Sequence, residues 1–341
     1  MTSSGATAVP GTTGLLVGYG SIGRRHLANL SRLGVRDWAV VHTGAGTLPF
    51  EPPCPVRTYS DLVDALDAEQ PTFAVIANPT ALHLGSALAC VKRGCHLLLE
   101  KPVSHTLDGL DVLVDEVALR GTRVLVGFQF RFHPGLRRIE ELLRERAVGA
   151  PAHVRVVWGE YLPDWHPWED WRTGYAARRD LGGGVHHTLC HPFDYLRMLF
   201  GNPTGVTASL VDHGPLGLDV PEAADVLLHF DRVSAQVHLD YWAIPATHRV
   251  EIVCDNGTIV WDALLGELRI WDRTEAAWQI EQVPGIEARD ELFVSETRHF
   301  LDVVDGRAEP ACTLDDGVRA VRLCVAIERA AAQAPTTTEE R

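Results

Sequence analysis

Thiols in pairs, basic charge and long apolar runs are what this sequence has little of. Its 341 residues include seven cysteines and two methionines, and no two cysteines stand as C-x-x-C. An odd number of singly scattered thiols argues against a disulfide framework and against a structural zinc module, and reduced cysteines in a cytoplasm are the expectation. Lysine and arginine number 31 against 45 acidic residues, a formal net charge of −14. A nucleic-acid partner, which needs a basic stripe, is therefore not expected. No apolar run approaches the ~20 residues that span a bilayer, so no membrane partner is expected either. The first 13 residues are small and polar and lack the basic-then-apolar layout of a secretory signal. They read as a loose tail, as do residues 333–341.

What is present has the proportions of a soluble globular protein: 46% apolar and 22% charged residues, with length enough for two ordinary domains. Short, near-continuous apolar runs alternate with helical patterns through the first third. Gly14–Gly18, Trp38–His42, Phe73–Ala77, Leu97–Leu99 and Arg123–Val126 read as strands covered on both faces, with helices Ser21–Leu33, Ala81–Arg93 and Thr106–Arg120 between them. The pattern predicts an α/β protein opening with a doubly wound Rossmann domain over residues 14–128. Residues 129–332 follow as a second α/β domain, rich in alternating strands, with a large, mainly antiparallel open sheet and a last helix over about 315–332. The uncovered face of that sheet is the expected oligomer surface, for a homodimer or homotetramer.

Gly18-Tyr19-Gly20-Ser21-Ile22-Gly23 follows the first strand and opens the first helix, the context a G-x-G-x-x-G motif requires. Gly18 serves the tight turn, Gly20 the approach of a pyrophosphate and Gly23 close helix packing. The helix amides from Ser21 and Ile22 onward supply anion binding. The second strand ends in Val41-His42-Thr43-Gly44, where an NAD site usually carries an acid for the ribose diol. The missing carboxylate inclines the reading toward NADP within an NAD(P) assignment, with His42 and Thr43 as donors to a 2′-phosphate. Arg24 and Arg25 either reach the phosphates or form a solvated helix face.

Glu100-Lys101-Pro102 stands just past the apolar strand Leu97–Leu99, and in a doubly wound sheet that position faces the ligand crevice. With Asn78-Pro79-Thr80-Ala81-Leu82-His83 before it and Gly182-Gly183-Gly184 ahead of His191 and Asp194, the chain resembles the glucose–fructose oxidoreductase/inositol dehydrogenase/rhizopine-catabolism family, Gfo/Idh/MocA. The resemblance runs from about Thr13 to Ala332. It implies NAD or NADP as cofactor and a hydroxyl-bearing carbon of a sugar, cyclitol or derivative as the reacting centre. Asn78, Pro79, His83, Glu100 and Lys101 join the cofactor-binding set on this basis, and Lys101 becomes the group that contacts the reacting oxygen. The family's Asp-x-x-x-His motif maps its acid/base histidine to His191. His187 holds the aspartate position, a departure that leaves two histidines as acid/base candidates, His191 being preferred. A histidine suits a proton transfer near neutrality, and an ammonium favours an alkoxide-like oxygen.

On the substrate side, Tyr161–Tyr175 is rich in tryptophan, with histidine, acids and an arginine. Trp165, His166, Trp168, Arg172 and Tyr175 are candidates to hold a small polyhydroxylated ring by stacking and hydrogen bonding, with an interface as the competing reading. Arg131 and His187 complete the set, Arg131 serving either the substrate or a structural ion pair. No metal is expected. The rival is a metal-assisted alcohol dehydrogenase, with His187 and His191 four apart on one helix and Asp194 or His186 completing the ligands. A nucleotide-binding scaffold without turnover is the alternative of a different class.

Overall fold

The computed structural model describes residues 12–44, 46 and 49–333. The expected tails at 1–11 and 334–341 lie outside the described residues. The chain divides into two units. The first comprises residues up to Phe132 together with Asp180–Gly182 and Arg289–Val321, and the second holds His133–Arg179, Gly183–Ala288 and the chain from Arg322. Residues 289–321 thus group with the Rossmann strands, an excursion that the uninterrupted span 129–332 does not contain.

In the first unit, six parallel strands, β1 (Thr13–Val17), β2 (Asp37–Val41), β3 (Arg57–Tyr59), β4 (Phe73–Ile76), β5 (His96–Leu99) and β6 (Val124–Val126), lie in the order β3-β2-β1-β4-β5-β6. That is the doubly wound dinucleotide order, with its switch point between β1 and β4. The strands are near-continuously apolar because both faces are covered: Phe73–Ile76 and Leu97–Leu99 are wholly buried. Helices α1 (Ser21–Arg32), α2 (Leu62–Glu69), α3 (Thr80–Val91) and α4 (Leu110–Arg120) connect them. Asp61 caps α2 by accepting from the amides of Val63 and Asp64 at 2.7 and 3.0 Å. Helix α4 starts at Leu110 rather than Thr106, because Gly109 ahead of it takes a left-handed φ of 77° that no helix continues.

In the second unit, α5 (Pro134–Glu145) leads to β7 (Pro151–Gly159), the short α6 (Val185–Thr188) and α7 (His191–Phe200). Strands β8 (Gly205–Val211), β9 (Ala223–His229), β10 (Ser234–Asp240), β11 (Thr247–Cys254), β12 (Gly257–Asp262), β13 (Glu267–Asp272) and β14 (Ala277–Gln282) follow. The eight strands lie in the order β14-β13-β12-β11-β7-β10-β9-β8, every pair antiparallel except β7 with β10. Alternation decides the faces. In β7, Val154, Val156 and Trp158 are buried while Arg155 and Val157 look outward. His248 stacks on Trp158 at 4.2 Å and 3°, and Trp261 lies 5.5 Å from the same imidazole.

Helix α8 (Arg289–Val304) belongs to the first unit and packs Phe300 edge-on against Phe73, which meets Trp38 the same way, at 5.3 and 5.8 Å. Helix α9 (Leu314–Gln333) ends the described chain. Among the described residues no helix is long and apolar enough to cross a membrane.

Candidate functional site

The glycine loop shows why each glycine is there. Gly18 has a φ of 96°, and a Cβ on it would stand 2.6 Å from the amide nitrogen of Asn78. A Cβ on Gly23 would stand 2.2 Å from the carbonyl oxygen of Gly18, so only glycine lets α1 sit this close to the loop. A Cβ on Gly20 would meet nothing within 4 Å, the open approach a diphosphate requires. Gly20 caps α1 without a side chain and the first turn, with Ser21 and Ile22, carries no acid, so its amides keep their pull on an anion.

At the carboxyl end of β2 the chain builds an aromatic group instead of a carboxylate. His42 lies 4.7 Å from Phe50, ring centre to ring centre, and Phe50 lies 4.7 Å from Tyr19. The Arg24 guanidinium rests 4.8 Å above the Tyr19 ring and donates to the carbonyl of Pro49. Thr43 is exposed beside His42. Arg24 thus lies over the aromatic group near His42, whereas Arg25 pairs with Asp290 at 2.9 Å.

Two loops at the strand ends are tied by His83. Its Nδ1 lies 2.8 Å from the Pro102 carbonyl and its Nε2 2.7 Å from the Asn78 carbonyl. A neutral imidazole donates through only one nitrogen, and burial pulls this ring's pKa down. Asn78 donates from Nδ2 to Ser86 Oγ at 2.9 Å, and Pro79 precedes α3 as its cap residue. Asn78–Pro79 is thereby fixed against Lys101–Pro102, which sets the position of the lysine's backbone.

Glu100 is buried and faces inward, away from the role of surface ligand. Its Oε1 lies 2.7 Å from His26 Nε2, and its Oε2 accepts from the Lys101 amide at 3.1 Å. Glu296 of α8, which the sequence reading did not single out, completes the group. One side-chain atom each from His26, Glu100 and Glu296 lie within 4.8 Å of one another, all buried. Burial drives both carboxyls toward the neutral form, but His26, first by hydrogen bond and then by charge, holds Glu100 below the ordinary carboxylate value. Burial and then the Glu100 charge push Glu296 well above it. The two neighbouring acids are thus shifted in opposite directions. Glu296 was illegible because α8 carries no motif, although Leu292, Phe293, Glu296, Thr297, Phe300 and Leu301 repeat at helical spacing.

In the second unit, His187 and His191 do not share a helix as expected. α6 ends at Thr188 and α7 begins at His191, with Leu189 and Cys190 forming the break. The four-residue spacing therefore carries no common helical face. His191 is buried, 5.5 Å from the Trp158 ring, and Asp194 is buried in the same first turn of α7. The three-donor cluster that forms here uses neither: it is His186, His187 and Glu328.

The tryptophan-rich segment is a run of 3₁₀ turns. Trp165 meets Tyr241 edge-on at 5.7 Å, and His166 lies 5.2 Å from Trp168, which is 60% exposed. Arg172 is exposed and lies over its neighbour Trp171 at 4.3 Å, while Tyr175 is half-buried in the next turn. Arg131, in the first unit, donates to the Ala311 carbonyl at 2.6 Å and to Asp316 at 3.1 Å. That is the structural ion pair of the two readings given for it.

Comparison with known proteins agrees with this architecture. Residues 13–128 match the family model of the oxidoreductase family with an NAD-binding Rossmann fold, and residues 136–260 match the Gfo/Idh/MocA C-terminal domain. The chain belongs to the Gfo/Idh/MocA family. It is accordingly an NAD(P)-dependent oxidoreductase. It is similar to an inositol 2-dehydrogenase of Saccharopolyspora erythraea, 25% identical over 304 residues, covering 84% of this chain and 83% of the relative. An uncharacterized oxidoreductase of Synechocystis is 31% identical over 155 residues, which span 45% of this chain and 41% of that protein. Among solved structures, GenD2 from gentamicin A biosynthesis, in complex with NAD, superposes with a TM-score of 0.80 at 25% identity, covering 98% of each chain.

Proposed function

We propose that this protein interconverts a secondary hydroxyl and a ketone on a sugar, sugar derivative or cyclitol. The observation that carries the reading is Lys101, held at the carboxyl end of β5 by the Glu100 and His83 anchors, in the same unit as the glycine loop. Gly18, Gly20 and Gly23 with the amides of Ser21 and Ile22 hold the diphosphate. The nicotinamide, when bound, supplies the hydride chemistry. Lys101 donates a hydrogen bond from its ammonium to the substrate oxygen, stabilising negative charge as the carbon is reduced or oxidised. His191 takes the hydroxyl proton in oxidation and returns it in reduction, with His187 as the second candidate. Trp165, His166, Trp168 and Tyr175 offer faces and polar edges to a polyhydroxylated ring.

Cofactor choice follows from β2. With His42 and Thr43 where a ribose-binding carboxylate would stand, the end of β2 itself presents no carboxylate to repel a 2′-phosphate, and Arg24 near His42 attracts one. NADPH is expected to bind more tightly than NADH, read by tryptophan-to-nicotinamide energy transfer. Equal or inverted affinities would overturn the preference and leave the redox reading intact. For assembly we propose a homodimer or homotetramer through the outward face of the eight-stranded sheet, where Trp278 and Ile280 are exposed.

The test of the chemistry is Lys101→Ala, assayed across a panel of sugars and cyclitols. Turnover is expected to fall about 10²–10³-fold. Near wild-type turnover on a substrate the parent protein accepts would remove the centre of the reading.

A further inference from the structure

We propose that His186, His187 and Glu328 form a divalent-cation site of the two-histidine, one-carboxylate kind, suited to a borderline transition ion such as Zn²⁺ or Co²⁺. The ring Nε2 atoms of both histidines approach the same oxygen, Glu328 Oε1, at 2.9 and 3.0 Å. The two rings lie 4.2 Å apart at 42°. Adjacent residues on a helix project about 100° apart and do not face one another. Helix geometry alone therefore does not aim two consecutive imidazoles at one atom. Glu328, from α9 in the same unit, is the point on which they converge.

The chemistry of the three donors matches a cation better than it matches a hydrogen-bonded core. Both imidazoles are almost wholly buried, with side chains 2% and 5% exposed, whereas Glu328 is 42% exposed. An ion can therefore arrive from solvent through the carboxylate and retain water on that side, as a three-ligand site with an open position does. Asp212 adds further negative charge near His186.

The Nδ1 atoms of both rings are buried with no hydrogen-bond partner among the described residues. Ligation through Nε2 places the proton on Nδ1, where no acceptor buttresses it, and missing second-layer support costs roughly 10–100-fold in affinity. The site should therefore bind weakly for its ligand set. A consequence follows for the acid/base assignment, resting on the redox reading above: with an ion on its Nε2, His187 cannot accept a proton there, and the step falls to His191.

The experiment is titration of the chelator-stripped full chain with Co²⁺, following visible d–d absorption, and with Zn²⁺ by calorimetry. One equivalent is expected, with intense bands of a low-coordinate Co²⁺ centre, lost in both Glu328→Gln and His186→Ala. Binding of no ion by the wild-type chain, or unchanged binding in both variants, overturns the site. A readout without variants is the proton spectrum of the Co²⁺-loaded wild type. Two hyperfine-shifted exchangeable imidazole N–H signals are expected, and their absence overturns Nε2 ligation by the pair. Cofactor titration of the stripped chain keeps this result separate from the redox reading, since NAD(P)H binding needs no ion in this account.

Discussion

Glu296 is a buried carboxylic acid whose two oxygens have no hydrogen-bond partner among the described residues, and its behaviour with pH follows from that position. Its folded pKa lies well above the ordinary 4.5. A raised pKa contributes stability that is fully present below the unfolded value and is lost as pH rises through the folded one. Glu296→Gln keeps the neutral shape and removes the titration. The variant is expected to show a flatter stability profile as pH rises above the ordinary carboxylate value and to exceed the wild type at the alkaline end, as measured by urea unfolding. A parallel loss of stability in both proteins would mean that Glu296 is ionised in the folded state. Lys101 and the glycines could be read from the sequence because each belongs to a motif with a mechanism. Glu296 and Glu328 could not, since their partners come from distant segments and nothing local distinguishes them from other helix acids.

Elements differ in how plainly the sequence shows them. Strands β1, β2, β4 and β5 were legible because double burial leaves near-continuous apolar runs; α3 was legible as a helix, but it begins at Thr80, with Pro79 as its cap, and ends at Val91 rather than at Arg93. Strand β3 has three residues and no apolar run, and β14 is an exposed edge strand, so periodicity marks neither. The break at Leu189–Cys190 was hidden because a four-residue histidine spacing fits one continuous helix as well as two. Helix α8 contributes packing as well as chemistry: Phe300 is fully buried against Phe73. Phe300→Ala should cost about 3–5 kcal/mol of stability, read by denaturant unfolding. At the loop, Gly23→Ala forces α1 away from the Gly18 carbonyl, and cofactor affinity is expected to fall at least about tenfold, equal to 1.4 kcal/mol, while the far-ultraviolet dichroism is kept.

For the whole molecule the sequence reading captured the family and the two-part architecture, and missed that residues 289–321 group with the Rossmann strands. A late segment that rejoins the first unit leaves no mark on composition. The protein as a whole should be sensitive to mild acid. Burial lowers His133 to about 4, and burial with the His133 charge lowers His248 to about 3, from an ordinary 6.5. A lowered histidine pKa gives stability present above 6.5 that is lost as pH falls through the folded values. Thermal unfolding temperature is expected to decline steadily below about pH 6.5, and His248→Gln should blunt the decline.

The most direct test of the redox account uses cofactor deuterated at the reactive nicotinamide carbon, incubated with the full chain and a panel of keto-sugars and keto-cyclitols. Products are read by mass spectrometry. The account predicts one deuterium on the new carbinol carbon of at least one product, with transfer strongly reduced by Lys101→Ala. Cofactor that binds tightly yet delivers no deuterium to any member of the panel would contradict it and favour a nucleotide-binding scaffold.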